Sequence, residues 1–246
     1  MILKYRKLNY SIHFLTENEK SRSRFRAKKE FVVGNCIDTV KNRSDEFDLN
    51  YFKNKYLAKS IIYIGRFSMH IKGLDILFNE LVSNRQSILA SGLKFEFYGP
   101  DCKYKQYLQN FSKRNGLTFI TFHPEVYNED KEYVFKQAMY NILTSRSEGF
   151  PMSVIESCNY GTPQILSSGT NIQQQAIEIN AGLAFTSDFI NKVCSINLDE
   201  YITMCNGSLQ FANMHSFKTI GEQSLHHYLR AIVGPSNAIH NKEFTN

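Results

Sequence analysis

The sequence predicts an α/β fold, a Rossmann-like parallel sheet with helices on both faces, and three observations predict it. From Lys59 onward, short runs of β-branched or aromatic residues alternate with longer segments of helical period. Each change is marked by Gly, Pro or Asn, residues that break regular structure. Strand and helix alternate repeatedly, the order that builds a parallel sheet wrapped by helices.

In chain order the strand candidates are 60–67 (SIIYIGRF), 93–98 (LKFEFY), 118–123 (TFITFH), 140–144 (YNILT), 164–167 (QILS) and a short 183–185 (LAF). Between them lie helix candidates at 73–83, 104–114, 129–138, 153–159 and 172–179. After Asp188 the chain reads as helix almost to its end, with 216–232 (SFKTIGEQSLHHYLRAI) the clearest amphipathic piece. Ahead of Lys59 stand two more strand-like runs, 10–15 and 30–33, around a basic, helix-like segment at 19–28. Two strands and one helix cannot bury a core alone. The expected organisation is therefore an N-terminal segment 1–58, an α/β domain 59–233 and a frayed tail 234–246.

In an open parallel sheet, ligands bind beyond the carboxyl ends of the strands. Those places hold Arg66, Gly99, His123, Ser145 to Glu148 and Ser167 to Gly169. In SRSEGFPMSVIESCNYGTP a strand end delivers Glu148, a Gly149-Phe150-Pro151 turn follows, and a helix opens near Ser153; Glu156 lies eight positions after Glu148. A helix that opens straight after a turn aims unpaired N–H groups and its positive dipole end above the sheet, which suits a phosphate. Carboxylates on either side of that turn accept hydrogen bonds from hydroxyl pairs on a sugar and on a ribose. In IIYIGRFSMHIKGLDIL the strand ends at Gly65-Arg66 and Lys72-Gly73 opens the next helix, so two cations reach the same crevice.

Gly-Arg followed by Lys-Gly-Leu-Asp, then Glu-Gly-Phe-Pro and a second Glu after seven intervening residues, resembles the family-4 glycosyltransferases from about Lys59 to Phe185. The resemblance implies the C-terminal, donor-binding half of a GT-B fold. It also implies retaining transfer of a sugar from a nucleoside-diphosphate sugar to a glycan or lipid-linked acceptor in surface polysaccharide synthesis, with no cofactor beyond the donor. By position, Arg66 and Lys72 hold the diphosphate, Glu148 contacts the transferred sugar and Glu156 binds the ribose. The Gly149, Phe150 and Pro151 turn and the amides through Ser153 and Val154 complete the phosphate cradle. Gly99 lies near the nucleotide, and the loop from His123 to Val126 lies against the base. Arg66, Lys72 and Glu148 are the catalytic expectations.

The family has an acceptor-binding Rossmann domain, with a catalytically important His, before the linker; about 58 residues stand here. In FVVGNCIDT (31–39), Gly34-Asn35-Cys36 replaces the usual Pro-Asn-Gly. The expectation is a chain shortened at its N-terminus, with a separate chain supplying the acceptor domain, or a non-catalytic nucleotide-sugar-binding half. The terminal helix, which in the family crosses to the other domain, is expected to lack a partner. A sugar-nucleotide epimerase is a third reading of the same halves.

Plainer readings stand beside these. Ser153 and Glu156 fit a capping box equally well. Arg66 and Lys72 are of types mostly found at surfaces, and only their joint spacing raises them above that. His123, His70 and the pair His226-His227 read as packed, capping or surface residues. Absence of an Asp-any-Asp pair leaves no metal site expected, and absence of G-x-G-x-x-G and G-x-x-x-x-G-K-[ST] argues against a dehydrogenase or P-loop enzyme.

Five cysteines without short spacings read as reduced thiols. No apolar run approaches the roughly 18 residues of a membrane span, and the N-terminus lacks a signal-peptide segment. A cytoplasmic protein is expected, at most peripheral on the inner face of a membrane and without nucleic-acid partners. Residues 1–30 carry nine Lys or Arg against three Glu, which accounts for the whole net charge of +6. Their densest run, KSRSRFRAKK from Lys20, is expected to be a solvated helix face rather than a contact for nucleic acid or an anionic membrane.

Overall fold

A computed structural model describes residues 11–38 and 47–233, with side chains as far as Leu229. The 234–246 tail and the first residue of the 10–15 run lie outside the described residues. The chain opens with strand β1 (Ser11–Phe14), helix α1 (Glu17–Arg22) and strand β2 (Lys29–Val32), the two strands pairing in parallel. α1 starts where Thr16 accepts the Glu19 amide at 3.0 Å and the Glu19 carboxylate takes the Leu15 amide at 2.7 Å. The basic segment expected to be helical to residue 28 is helical only to Arg22. Ser23 stops it: its backbone is extended and its hydroxyl accepts the Phe25 amide at 3.1 Å, a local bond that competes with the helical ladder.

Helix α2 (Leu49–Ala58), capped by the Asp48 carboxylate on the Tyr51 amide at 2.7 Å, leads into the main sheet. Its elements follow as β3 (Ser60–Ile64), α3 (Leu74–Ser83), α4 (Arg85–Ser91), β4 (Lys94–Tyr98), α5 (Lys103–Arg114), β5 (Ile120–His123), α6 (Asn128–Gln137), β6 (Tyr140–Leu143), α7 (Met152–Cys158), β7 (Gln164–Leu166), α8 (Gln173–Glu178), β8 (Gly182–Ala184), α9 (Phe189–Ser195), α10 (Leu198–Met214) and α11 (Phe217–Val233). Every expected strand and helix of the α/β domain is present. α2 and α4 are additional: LNYFKNKYLA mixes apolar and polar residues around the helix, and RQSILAS is too short to show a period.

The six strands are all parallel, in the order β5-β4-β3-β6-β7-β8. The chain therefore winds outward from β3 through β4 and β5, returns to β6 at the other side of β3, and winds outward again. The carboxyl ends of β3 and β6 diverge at this reversal, where doubly wound sheets open a crevice. Alternate residues of β3 point to opposite faces. Ile61 and Tyr63 join a core with Phe95, Phe97, Leu77 and Phe78, whereas Ile62 joins Val134, Phe135 and Tyr160 on the other face. Helices thus cover both faces, and each such side chain contributes about 1.5–3 kcal/mol by leaving water.

α2, which lies before the boundary expected at residue 58, buries Phe52 and Lys55 in this same body. The Lys55 ammonium donates to the carbonyls of Phe135 (2.7 Å) and Tyr160 (3.2 Å) and to Thr162 Oγ1 (2.7 Å). Burial nevertheless lowers its pKa to about 7. α11 closes over the N-terminal unit: Ser216 bridges Ile37, Ile220 packs with Phe31 and Val33, and the Phe31 ring stacks on His227 at 5.3 Å. The terminal helix expected to lack a partner has one in β2. Among the described residues no helix is long and apolar enough to cross a membrane.

Candidate functional site

The crevice is built by the two loops that leave β3 and β6. At the β3 end, the Tyr63 hydroxyl donates to the Arg66 carbonyl at 2.7 Å and holds the first turn. The loop then reaches Lys72 and Gly73, where α3 begins. Gly73 has φ +62, and a Cβ there would run into the Thr144 carbonyl, so the left-handed turn and the close approach both require glycine. Thr144 answers by donating its hydroxyl to the carbonyls of Lys72 and Gly73, each at 3.1 Å. The two strand ends are thereby tied together across the switch point.

Beyond Thr144 the chain delivers Glu148 into the crevice. Its Oε1 accepts the Lys72 ammonium at 2.6 Å and the Ser145 hydroxyl at 2.6 Å; the Lys72 and Glu148 side chains are 18% and 15% exposed. Its main chain is fixed by the Glu148 amide on the Gly169 carbonyl at 3.0 Å and by the Asn171 side-chain amide on the Glu148 carbonyl. Asn171 itself is left-handed (φ 65), a conformation Asn tolerates. Arg146 clamps the opposing loop. Its amide donates to the Ile71 carbonyl at 2.9 Å, and its guanidinium donates to the His70 carbonyl at 2.8 Å and to both oxygens of Asp75 at 2.7 Å. Hydrogen bonding to Arg146 holds the Asp75 carboxyl below its ordinary value.

α7 opens at Met152 with Pro151 before it, and neither α7 nor α3 has a side-chain cap, which leaves first-turn N–H groups at the crevice without a side-chain acceptor. The capping-box reading of Ser153 and Glu156 does not hold. With Pro151 in the cap position, Ser153 falls inside the helix, and the Glu156 carboxylate instead pairs with the Lys131 ammonium of α6 at 2.6 Å. Phe150 is buried, 5.2 Å from the His215 ring, and a Cβ on Gly34 would press into the Phe150 ring at 2.8 Å. The Gly34-Asn35-Cys36 segment thus passes directly behind the turn that carries Glu148.

Of the residues singled out by sequence, Lys72 and Glu148 are in contact. Gly149, Phe150, Pro151, Ser153 and Val154 form the turn and first helical residues beside them. Glu156 lies four residues into α7, roughly 6 Å along the helix from Met152. Arg66 is exposed at the end of β3 and has no side-chain hydrogen bond or ion pair among the described residues. Gly99 has a packing reason of its own: a Cβ would strike the Gly65 carbonyl and the Phe67 ring, so its smallness lets the β3 and β4 turns touch. Val126 is partly buried against the second core. His123 stacks on Tyr98 at 4.4 Å, with Nε2 3.3 Å from the Glu96 carboxylate. Arg146 falls within the strand-end range Ser145 to Glu148, but its pairing with Asp75, like the parts played by Asn171 and Lys131, is not marked in the sequence because the partners are distant along the chain. Among the described residues no group of three or more His, Cys, Asp or Glu side chains is placed to hold a metal ion.

A doubly wound parallel sheet with its crevice at the reversal of strand order defines a Rossmann-like class of domain. The chain belongs to the group 1 glycosyltransferases: the profile of the family "Glycosyl transferases group 1" matches residues 58–196, more than half of its length. Among solved structures the fold is similar to that of a glycosyltransferase from Rickettsia africae (TM-score 0.70, 12% identity, 94% of this chain and 67% of that one). It is similar to TarM (0.69, 18%, 92% and 45%), which in a structure from S. aureus is complexed with UDP and alpha-GlcNAc-glycerol. HepE of Anabaena, complexed with UDP and glucose, is similar as well (0.67, 16%, 91% and 64%). These likenesses establish half of a GT-B fold, and the chain spans about half to two thirds of the length of those proteins. No curated protein sequence matches it.

Proposed function

We propose that this chain binds a nucleoside-diphosphate sugar in the crevice between β3 and β6 and provides the donor side of a retaining sugar transfer. The observation that carries this reading is the Lys72–Glu148 pair at the switch point, 2.6 Å apart and mostly shielded from water. A cation there meets the diphosphate, while the carboxylate beside it accepts hydroxyls of the sugar. Arg66, at the neighbouring strand end and without an ion pair among the described residues, adds a second positive charge, and the amides that open α7 add donors without charge. Glu156, one turn further, binds the ribose diol in this reading, exchanging Lys131 for it.

When the bond from the sugar to the diphosphate breaks, the electron pair stays on the phosphate oxygen and the sugar carbon becomes electron-poor. A preorganised ammonium at that oxygen stabilises the developing charge more than it stabilises the intact donor, and that difference accelerates the reaction. The acceptor side belongs to a second domain, carried on this polypeptide or on another, and the acceptor is a glycan or lipid-linked glycan of a surface polysaccharide. Calorimetric titration with uridine, guanosine and adenosine diphosphate sugars tests the donor reading: one nucleotide series should bind, and should bind more weakly once Lys72 is changed. Absence of binding by any of the three would remove its basis.

A further inference from the structure

The turn that follows α1 takes no part in the donor site. Six of the ten residues from Lys20 to Lys29 are Lys or Arg, and none is acidic. At its centre stands Phe25, 74% exposed, more than any other large hydrophobic side chain of the described residues. The exposure is enforced locally. The Ser23 hydroxyl accepts the Phe25 amide at 3.1 Å, and the Arg26 guanidinium donates to the carbonyls of Ser23 (2.7 Å) and Phe25 (2.8 Å), so the main chain closes on itself and leaves the ring outside. Arg22, Arg24 and Lys28 are exposed and make no hydrogen bond or ion pair among the described residues.

A lone aromatic ring inside a ring of solvated cations is matched by one kind of surface. At the headgroup boundary of an anionic bilayer the apolar ring leaves water while the cations meet lipid phosphates. Single-stranded nucleic acid is a poorer match, since its bases stack on several aromatic side chains in succession and this turn offers one. We infer that residues 22–28, the end of α1 and the turn after it, are a peripheral membrane anchor, with Phe25 inserted at the interface and Arg22, Arg24 and Lys28 on anionic headgroups. Its place in the fold gives the anchor a use. Asn18 of α1 donates to Asn171 Oδ1 at 2.8 Å, and Asn171 in turn holds the Glu148 carbonyl. α1 is six residues long, roughly 9 Å, so anchor and crevice are one short helix apart. A lipid-linked acceptor would then meet the donor near the bilayer surface; this last consequence rests on the proposed function, whereas the anchor does not.

Sedimentation with vesicles tests the inference, using neutral phosphatidylcholine vesicles and vesicles with about a third phosphatidylglycerol, a charge density at which each basic residue near the surface contributes measurably. The chain should bind the anionic vesicles only, and binding should fall as salt shortens the screening length. The triple variant R22Q/R24Q/K28Q should bind on the order of a hundredfold more weakly, at roughly fivefold per charge. Phe25→Ser should lose roughly tenfold or more and keep the salt dependence. All four side chains are exposed, so thermal melts should not move, and nucleoside-diphosphate titration of the same variants should be unchanged. Equal binding to neutral vesicles, no binding to anionic ones, or variants that bind like the unmodified chain would overturn the anchor. Tighter, salt-sensitive binding to an oligonucleotide that the triple variant loses would reassign the surface to nucleic acid.

Discussion

Replacing Lys72 by Met keeps the aliphatic stem and removes the charge that faces Glu148. A hydrogen bond to a charged group contributes about 1.5–3 kcal/mol, which corresponds to roughly ten- to 150-fold in affinity. In the free protein Lys72 already satisfies Glu148 at 2.6 Å, so a diphosphate gains only the difference between two acceptors. That places the expected loss of nucleoside-diphosphate affinity in the lower half of the range, about ten- to thirtyfold. The rate of transfer, measured with the acceptor side present, should fall further, by roughly 10² to 10³, because the charge on the departing phosphate is largest in the transition state. Calorimetry with a nucleoside diphosphate and with the bare nucleoside separates charge recognition from any general damage. The nucleoside should bind the variant as it binds the unmodified protein. A loss below twofold for the diphosphate, or an equal loss for both ligands, would refute the assignment of Lys72 to the phosphates.

Glu148→Gln should act with the opposite sign on the free diphosphate: Lys72 is released, so the diphosphate binds at least as well, while the nucleotide sugar loses its advantage over it. An unchanged preference for the sugar-bearing ligand would count against Glu148 as the sugar contact. Arg146→Met should loosen the loop that presents Lys72, costing a few-fold in diphosphate affinity and about 0.5–1 kcal/mol of stability, since the Asp75 pair is a third exposed. Arg146→Lys should rescue little, because an ammonium cannot bridge both Asp75 oxygens; full rescue would contradict this. For pH, Lys55 has its folded value lowered to about 7 from 10.5, so between these limits the unfolded chain binds the extra proton and stability rises with pH. Burial raises Cys205 to about 12 and Cys158 higher still, from an ordinary 9.0, so these thiols withdraw stability as pH climbs past 9. Urea unfolding should therefore grow harder from pH 7 toward about 8.5, by at most about 1.4 kcal/mol per unit, and then easier. Lys55→Met should abolish the rise, and a parallel rise in that variant would sink the account.

How far the site could be read in advance depended on sequence distance. The β3 and β6 strands announce themselves as IIYI and YNIL, and the turns after them bring Lys72 and Glu148 to the same edge, since parallel strands align their carboxyl ends. Arg146 and Asp75 are 71 positions apart, and Lys131 and Glu156 belong to different helices, so nothing local marks either pair. The same holds for α11, whose amphipathic pattern marks an apolar face, while nothing local shows that Phe31 of β2 covers that face in a helix expected to lack a partner. Ser153 and Glu156 mimic a capping box in spacing, yet the cap falls two residues earlier, at Pro151, and removes it. The basic run misleads for a related reason: its composition suits a helix, but Ser23 turns the main chain and sets Phe25 outward.

The central claim is that the switch point between β3 and β6 is a diphosphate site. Crystals of the chain grown with a nucleoside diphosphate test it most directly. The phosphates should lie within about 4 Å of the Lys72 ammonium, where opposite charges interact by several kcal/mol at a partly screened site, with the ribose against Glu156 and Lys131 displaced from it. A nucleotide bound elsewhere, with the Lys72–Glu148 pair intact and untouched, would contradict the account.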